Sequence, residues 1–196
     1  MIDTIATYNK KSKEFANKFN TIGTNLRNGE IKKVFEMANI KNPLVVELGC
    51  ANGRDSEEIM KYTNNFIGMD ASEELLKIAR QRNPQAKFVL STFDDFVFPE
   101  NIGIVFAFAC LLHADKDSVK SVFKKVSDSM SKGGIFYISL KLGEYQKVIQ
   151  EDEFGVRVFY LYTPDLIKEL AETFEVVNTE FYEFPGTKWF MMIFRK

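Results

Sequence analysis

Hydrophobic positions recur with a helical period in the first part of the chain. Within residues 3–20 the apolar side chains fall three, four or seven positions apart, which predicts one amphipathic helix. The lysines of this stretch fall elsewhere on the helical wheel, as expected for a solvated face. A second amphipathic helix is predicted over residues 26–38. The apolar positions are Ile5, Tyr8, Phe15, Phe19 and, continuing the spacing, Ile22.

Short β-branched and aromatic runs then alternate with segments of helical period. Such alternation predicts βαβ units and a parallel sheet covered by helices. Ser72 is a predicted N-cap, and Gly133–Gly134 are expected to end the helix before them. The predicted strands are 42–48, 64–70, 87–90, 135–142 and one that opens at 102; the predicted helices are 53–62, 71–82, 115–130 and 164–172.

The C-terminal segment predicts a β-hairpin. Residues 174–184 and 188–196 are strand-forming runs joined across Pro185–Gly186, a turn signal. An antiparallel hairpin at the end of a parallel sheet departs from a simple doubly wound fold.

Composition narrows the class of protein. The chain of 196 residues is long enough for one well-packed domain, and 45% of it is hydrophobic and 27% charged. A net charge of −1 argues against a nucleic-acid partner held by a strongly basic surface. The N-terminus lacks the apolar region of a signal peptide, and no uncharged apolar run approaches the ~18 residues of a membrane span, so we expect a cytoplasmic protein with no membrane partner. Two cysteines and one histidine without ligand spacing predict neither a disulfide framework nor a metal site.

The stretch VVELGCANGRDS places a glycine turn between the first predicted strand and the next helix. Dinucleotide-binding turns have the motif G-x-G-x-x-G, but the third glycine is missing here. The acidic Glu47 would also repel a pyrophosphate. S-adenosylmethionine has no phosphate; it carries a sulfonium, an ammonium and a carboxylate, which suit acidic groups and one cation. Asp70 ends the second predicted strand, 17 residues after Gly53, where a carboxylate can accept both ribose hydroxyls.

Several segments together resemble the class I S-adenosylmethionine-dependent methyltransferases. "VELGCANGRD" is similar to the first motif of that family, "FIGMDAS" to the second, "IGIVFAFACLLHAD" to its fourth-strand segment and "MSKGGIFYISLK" to the turn into strand five. The GRD and LLH elements, with "GVRVF" and "WFMMIFRK", resemble a small bacterial subgroup of unassigned substrate. The resemblance covers residues 8–196.

The resemblance implies an α/β fold with a Rossmann-like, seven-stranded, mostly parallel sheet, a C-terminal antiparallel hairpin and helices on both faces. It also implies one methyltransferase domain over residues 1–196, with residues 1–40 as a helical cap. The reaction implied is in-line transfer of a methyl group from S-adenosylmethionine to a small-molecule acceptor, leaving S-adenosylhomocysteine. Both a monomer and a dimer remain open.

Cofactor-binding residues follow from the matched motifs. Three positions depart from the family pattern: Ala51 replaces the middle glycine, Thr92 replaces the acid that contacts adenine, and Gly103 replaces the strand-four aspartate. Arg54 is either the partner of the cofactor carboxylate or a surface arginine. The cofactor set is Tyr8, Glu47, Gly49, Cys50, Ala51, Gly53, Arg54, Asp70, Ala71, Ser72, Thr92, Phe93, Asp94 and Phe108.

His113, the only histidine, is the candidate catalytic base; the alternative is that it holds the loop after the fourth strand. Arg157 suits an anionic group of the acceptor, or it pairs on the surface with Glu151 or Asp152. Two other functions stay open, a silent S-adenosylmethionine-binding protein and an NAD-dependent oxidoreductase. The predicted acceptor pocket consists of Phe15, His113, Arg157, Phe159 and Tyr162.

Overall fold

The computed structural model describes residues 3–21, 24–184 and 186–196, so the predictions that concern Ile22 and Pro185 fall outside the described residues. Two helices, α1 (Thr4–Lys10) and α2 (Ser12–Thr21), replace the one helix predicted over residues 3–20, which was wrong in this respect. The break lies at Lys11, whose backbone leaves the helical region at φ −116° and ψ 26°. A third helix, α3 (Thr24–Ala38), follows as predicted.

A seven-stranded sheet forms the centre of the fold, as predicted. Its spatial order is β3-β2-β1-β4-β5-β9-β8, with parallel pairing from β3 to β5 and antiparallel pairing of β5, β9 and β8. Chain order reverses between β1 and β4, and ligands of such sheets bind beyond the carboxyl ends of the strands at that reversal. The strands are β1 (Val45–Leu48), β2 (Phe66–Asp70), β3 (Lys87–Leu90), β4 (Ile102–Phe108), β5 (Met130–Lys141), β8 (Glu175–Phe184) and β9 (Thr187–Arg195).

Helices cover both faces of this sheet, which confirms the predicted α/β class. One face packs its apolar side chains against α3 and α4 (Arg54–Ile59), and the other packs against α6 (Lys116–Ser129) and α7 (Pro164–Leu170). α5 (Glu73–Arg82) begins at Ser72, whose hydroxyl accepts from the Leu75 N–H, as predicted. Every residue of β4 is buried, as expected for the centre of a parallel sheet.

The end of α6 differs from the prediction. The helix stops at Ser129, before Gly133–Gly134, and both glycines lie inside β5. Met130 is already extended, at φ −84° and ψ 141°, and pairs with Ile102 of the neighbouring strand. Pairing to β4 therefore ends the helix, and the glycines belong to an irregular stretch of the strand, where Gly133 has φ +81°.

A second, two-stranded antiparallel sheet is inserted after β5. It consists of β6 (Gln146–Asp152) and β7 (Gly155–Leu161). α1 is tied to β7 because the Thr7 hydroxyl donates to the Val156 carbonyl at 2.7 Å and the Val158 N–H donates to the Thr4 hydroxyl at 3.0 Å. In the ranges that the structure describes, no helix is both long enough and apolar enough to cross a membrane.

Candidate active site

A large cavity lies beyond the carboxyl ends of β1, β2 and β4, covered by α1 and β7. Its volume is about 1080 Å³, slightly above the ~300–1,000 Å³ usual for small-molecule pockets. The loops after β1, β2 and β4 form its floor. The cavity therefore has room for a cofactor and a second small molecule.

The turn after β1 has three residues in the left-handed region. Gly49, Ala51 and Gly53 have φ of 66°, 47° and 72°. A Cβ on Gly49 would lie 2.3 Å from the Cβ of Cys110, so glycine is needed there for space as well as conformation. Ala51 accepts the strain of a positive φ, and its N–H donates to Oδ2 of Asp70 at 2.9 Å. The turn is thus fixed to the end of β2.

Asp70 lines the cavity with both carboxylate oxygens held by backbone donors. Oδ2 accepts from Ala51, and Oδ1 accepts from the Ser72 N–H at 2.8 Å. Burial raises the pKa of Asp70, while these N–H donors lower it. Each oxygen keeps acceptor capacity beyond its backbone bond, so a diol can still be bound. The arrangement orients one carboxylate between the glycine turn and α5.

Glu47 lies beneath the turn and does not line the cavity. The side chain is buried, and its Oε2 accepts a 2.5 Å hydrogen bond from the Ser56 hydroxyl at the start of α4. Burial, followed by the nearby Asp55 carboxylate, holds the pKa of Glu47 well above its ordinary value. Its contacts join β1 to α4.

Two arginines lie beside the Asp55 carboxylate in the first turn of α4. Arg54 is engaged by its neighbour, since Nε and Nη2 donate to the two oxygens of Asp55 at 2.8 and 2.9 Å and Nη1 donates to the Phe19 carbonyl. Arg27, from α3, lies 4.1 Å above the Phe108 ring and 3.9 Å from Oδ2 of Asp55. Arg27 lines the cavity, and its buried Nη1 has no hydrogen-bond partner among the described residues.

His113 is hydrogen-bonded on both ring nitrogens. Nδ1 lies 2.6 Å from the Val158 carbonyl oxygen, which can only accept, so Nδ1 carries the hydrogen. Nε2 is then an acceptor, and the Tyr8 hydroxyl donates a hydrogen bond to it at 2.9 Å. Burial, with the nearby charges of Arg157 and Lys141, lowers the pKa of His113 to about 4. The imidazole is therefore neutral near pH 7 and is positioned by β7.

Tyr8 faces the cavity from α1. Burial raises its pKa to about 12, although the neighbouring Arg157 guanidinium lowers it. The ring packs on Phe15, with 4.5 Å between centroids, and Phe15 is itself fully buried. The Tyr8 hydroxyl is a neutral donor to His113, and its oxygen still has acceptor capacity toward the cavity.

A basic group lies at the β5 end of the cavity. Arg157 of β7 is 6% exposed, and its Nη2 donates to Oδ2 of Asp152. Lys141, at the end of β5, places Nζ 3.8 Å from the centroid of the Phe159 ring and 3.3 Å from Oε1 of Gln150. Burial, followed by the charge of Arg157, lowers the pKa of Lys141. Of the two predicted alternatives for Arg157, its ion pair with Asp152 is present, but the pair is buried and beside the cavity.

Within the described residues, no group of three or more His, Cys, Asp or Glu side chains is arranged to hold a metal ion.

Comparison with known proteins finds similarity to methyltransferases in both sequence and structure. Residues 45–134 match the family model described as a methyltransferase domain. Trans-aconitate 2-methyltransferase of Afipia carboxidovorans is 26% identical over 98 residues, which are 49% of this chain and 38% of that enzyme. An S-adenosylmethionine-dependent methyltransferase of Clostridium acetobutylicum superposes with a TM-score of 0.77 at 12% identity, over 93% of this chain and 98% of that one. Residues 45–134 thus match a methyltransferase domain, and the fold of the described chain is the one that these S-adenosylmethionine-dependent methyltransferases have.

A further structural relative of this chain was solved with ligands. The 1,6-didemethyltoxoflavin-N1-methyltransferase of Burkholderia thailandensis, with bound 1,6-didemethyltoxoflavin and S-adenosylhomocysteine, has a TM-score of 0.75 at 16% identity. The match covers 98% of this chain and 86% of that one. The curated trans-aconitate methyltransferase is longer, and the match spans 38% of its length. The predicted class is confirmed, and the GRD/LLH subgroup stays a prediction.

The cavity brings most of the predicted site residues together. Thr92 and Phe93 lie at its edge, and the Thr92 hydroxyl donates to Oδ2 of Asp95 at 2.7 Å. The predicted residues that line the cavity are Tyr8, Gly49, Cys50, Ala51, Arg54, Asp70, Ala71, Ser72, Thr92, Phe93, Phe108, His113, Arg157 and Phe159.

Five predicted residues do not line the cavity, Glu47 and Phe15 among them. Gly53 caps α4, and its carbonyl accepts from Nδ2 of Asn83 at 2.7 Å. Asp94 is exposed, and its carbonyl accepts from Lys125 at 2.5 Å. Tyr162 is buried and donates to the Ala114 carbonyl at 2.7 Å. These five residues therefore lie outside the lining of the cavity.

Sequence reasoning missed several cavity residues because they come from distant elements. Arg27 carried no local signal, since it is one polar position of a predicted amphipathic helix. Lys141 is the last residue of β5 and of the segment "MSKGGIFYISLK", whose resemblance concerned the turn into strand five and not this residue. The missed lining residues with polar or aromatic side chains include Lys18, Arg27, Asn52, Asp55, Ser91, Lys141, Lys147, Gln150, Tyr182 and Trp189.

Proposed function

We propose that this chain is an S-adenosylmethionine-dependent methyltransferase that acts on a small-molecule acceptor. The observation that carries the proposal is the Asp70 carboxylate, fixed by two backbone N–H groups beside the glycine turn at the point where strand order reverses. A cavity of about 1080 Å³ around it has room for donor and acceptor together.

We propose that the ribose diol binds Asp70 and that the adenine lies between Ala71–Ser72 and Thr92–Phe93. The methionine part would then cross the left-handed turn at Gly49–Ala51 toward Phe108. Support comes from the common lining of one cavity by these residues.

For the methionine carboxylate we propose Arg27 as the partner. Arg54 already has its guanidinium bound to Asp55 and to the Phe19 carbonyl, whereas Arg27 has a buried Nη1 without a hydrogen-bond partner among the described residues. An arginine is suited to a carboxylate because its N–H groups form charge-assisted hydrogen bonds with it. This assignment replaces Arg54 as the favoured partner.

When bound, S-adenosylmethionine supplies an electrophilic methyl group for in-line displacement and leaves as S-adenosylhomocysteine. The protein's part is to hold two reactants in line and to exclude water, and positioning of this kind can supply about 7–11 kcal/mol of the barrier. His113 would serve as a positioning residue rather than a base, because its pKa of about 4 is far from the working pH and its Nε2 is occupied by Tyr8.

We propose that residues 1–40 cap the site within one domain. Oδ1 of Asn9 accepts from the Ser72 hydroxyl at 2.8 Å, and Asn52 donates to the Ala16 carbonyl at 3.2 Å. Thr4 and Thr7 bind β7 on the other side of the cavity. The described part of the cap is therefore held from both sides of the cavity. A cytoplasmic location also stays a proposal.

Two alternatives predict different behaviour. A silent S-adenosylmethionine-binding protein would bind the cofactor without transfer. An NAD-dependent oxidoreductase would need a pyrophosphate site, and the missing third glycine of the turn argues against one.

The test is transfer of isotope-labelled methyl from S-adenosylmethionine into a cytosolic metabolite extract, analysed by mass spectrometry. The proposal expects a labelled small molecule that is absent when Asp70→Ala protein is used. Cofactor binding without any labelled product would instead support the silent binder.

A further inference from the structure

The β5 end of the cavity has a cluster that the cofactor assignment does not use. We call it the basic corner and define it as Lys141, Gln150, Arg157 and Phe159, all of which line the cavity. Gln150 and Arg157 are paired neighbours on β6 and β7, and the Lys141 ammonium contacts both the Gln150 amide oxygen and the Phe159 ring. The inserted two-stranded sheet thus closes against the end of β5.

Arg157 is a buried cation with hydrogen-bonding capacity to spare. One nitrogen, Nη2, is paired with Asp152, while Nε is buried and has no hydrogen-bond partner among the described residues. Aromatic rings surround the guanidinium, with Phe15 at 5.0 Å and Phe159 at 5.3 Å from its carbon. A buried N–H left without an acceptor costs stability. An acceptor oxygen supplied by a ligand would remove that cost.

Lys141 adds a second positive charge, which the Asp152 carboxylate influences without forming a direct ion pair among the described residues. Its side chain is half-buried, and no carboxylate of the described residues lies within 4.0 Å of Nζ. Within the described chain, Nζ donates a hydrogen bond to the Gln150 oxygen at 3.3 Å. Lys141 and Arg157 together carry two positive charges, and Asp152 supplies one negative charge. The corner therefore has a net positive charge in a partly desolvated place, where electrostatic attraction is strong.

The position of the basic corner separates it from the proposed cofactor site. β4 lies between β1 and β5 in the sheet. Asp70 and the glycine turn therefore lie on the β1 side of β4, and Lys141 lies on its β5 side. The Tyr8–His113 pair stands beside Arg157, between α1 and β7. Arg27, with Phe108, already offers a cation on the cofactor side.

We propose that the basic corner binds an anionic group, a carboxylate or a phosphate, of the methyl acceptor. The proposal rests on the proposed function, because it assumes that the opposite flank holds the cofactor. Nε of Arg157 and the ammonium of Lys141 donate to the anion, and Phe159 excludes water from one side. The acceptor class is thus a small organic acid or a phosphorylated metabolite rather than a neutral or cationic molecule.

Binding of simple anions to the full chain tests this assignment. Succinate, inorganic phosphate and neutral glycerol are titrated calorimetrically into the protein, both free and saturated with S-adenosylhomocysteine. We expect at least one anion to bind and glycerol not to bind, and the anion that binds tells carboxylate from phosphate. Lys141→Met should weaken that binding about tenfold or more, since a charge-assisted bond is lost. The matched control is Lys124→Met, an exposed α6 lysine paired with Asp128, which should bind as the wild type does.

Anion affinity that is the same in Lys141→Met and in the wild type would overturn the proposal, and so would the absence of binding by both anions. The S-adenosylhomocysteine titration is a separate result. If that compound does not bind, the proposed function fails, while the anion titration of the free chain still decides the role of the basic corner.

Discussion

Acidification should destabilise the protein through its single histidine. His113 is buried, and its pKa in the folded chain is about 4, whereas an unfolded chain has the ordinary value of about 6.5. At about 1.4 kcal/mol per pKa unit, this difference corresponds to about 3.5 kcal/mol of folding free energy. The cause is mainly burial of the imidazole, so protonation is disfavoured in the folded state.

The sign follows from the direction of the shift. Because the folded pKa is lower, the unfolded chain binds the proton first, and stability is complete above about pH 6.5 and is lost as the pH falls toward about 4. Between about pH 7.5 and about pH 5 the predicted loss is about 2 kcal/mol. Glu47, whose pKa is raised by burial, would act in the opposite direction.

Urea denaturation of the wild type and of His113→Gln over this pH range isolates the contribution of the imidazole. The difference in unfolding free energy between the two proteins should shrink by about 2 kcal/mol on acidification, because only the wild type has a histidine to protonate. The reasoning is refuted if that difference is independent of pH, which would mean that His113 is solvated or already charged in the folded state.

Three further substitutions, two of them paired with a comparison variant, test the cofactor side of the cavity. Asp70→Asn should weaken S-adenosylhomocysteine binding about 100-fold or more in calorimetry, since two charge-assisted bonds of about 1.5–3 kcal/mol each are affected; unchanged affinity would remove Asp70 from the ribose site. Arg27→Gln should weaken the same binding about tenfold or more, and a larger loss in Arg54→Gln would return the carboxylate to Arg54. Gly49→Ala should lower the free energy of unfolding by about 2 kcal/mol more than Gly133→Ala does. Both glycines have positive φ, but only a Cβ on Gly49 would meet a side chain, the Cβ of Cys110 at 2.3 Å. Equal losses in urea denaturation would show that the Cys110 contact relaxes.

The sheet and its ligand-binding edge could be predicted because their signals are local. β-branched runs, glycine turns and the Ser72 cap each act within a few residues, and strand alternation restricts how such runs assemble. The break at Lys11 and the end of α6 could not be predicted in this way. The first depends on contacts of α1 with β7 and α5, and the second on pairing of Met130 with Ile102.

In the candidate site, too, some features follow from local sequence and others depend on contacts between distant elements. Asp70 and the glycine turn are adjacent through one βαβ unit, and their sequence spacing is informative for that reason. Whether Arg27 or Arg54 is available for the cofactor carboxylate depends on Asp55, which already binds Arg54. Sequence spacing does not predict that ion pair. Lys141 gains its partners only when the inserted sheet folds over the end of β5.

The most direct test of the central claim is calorimetric titration of the wild-type chain with S-adenosylhomocysteine and, separately, with NAD. The account predicts one molecule of S-adenosylhomocysteine bound per chain and no heat of binding with NAD. Binding of NAD together with no response to S-adenosylhomocysteine would contradict it.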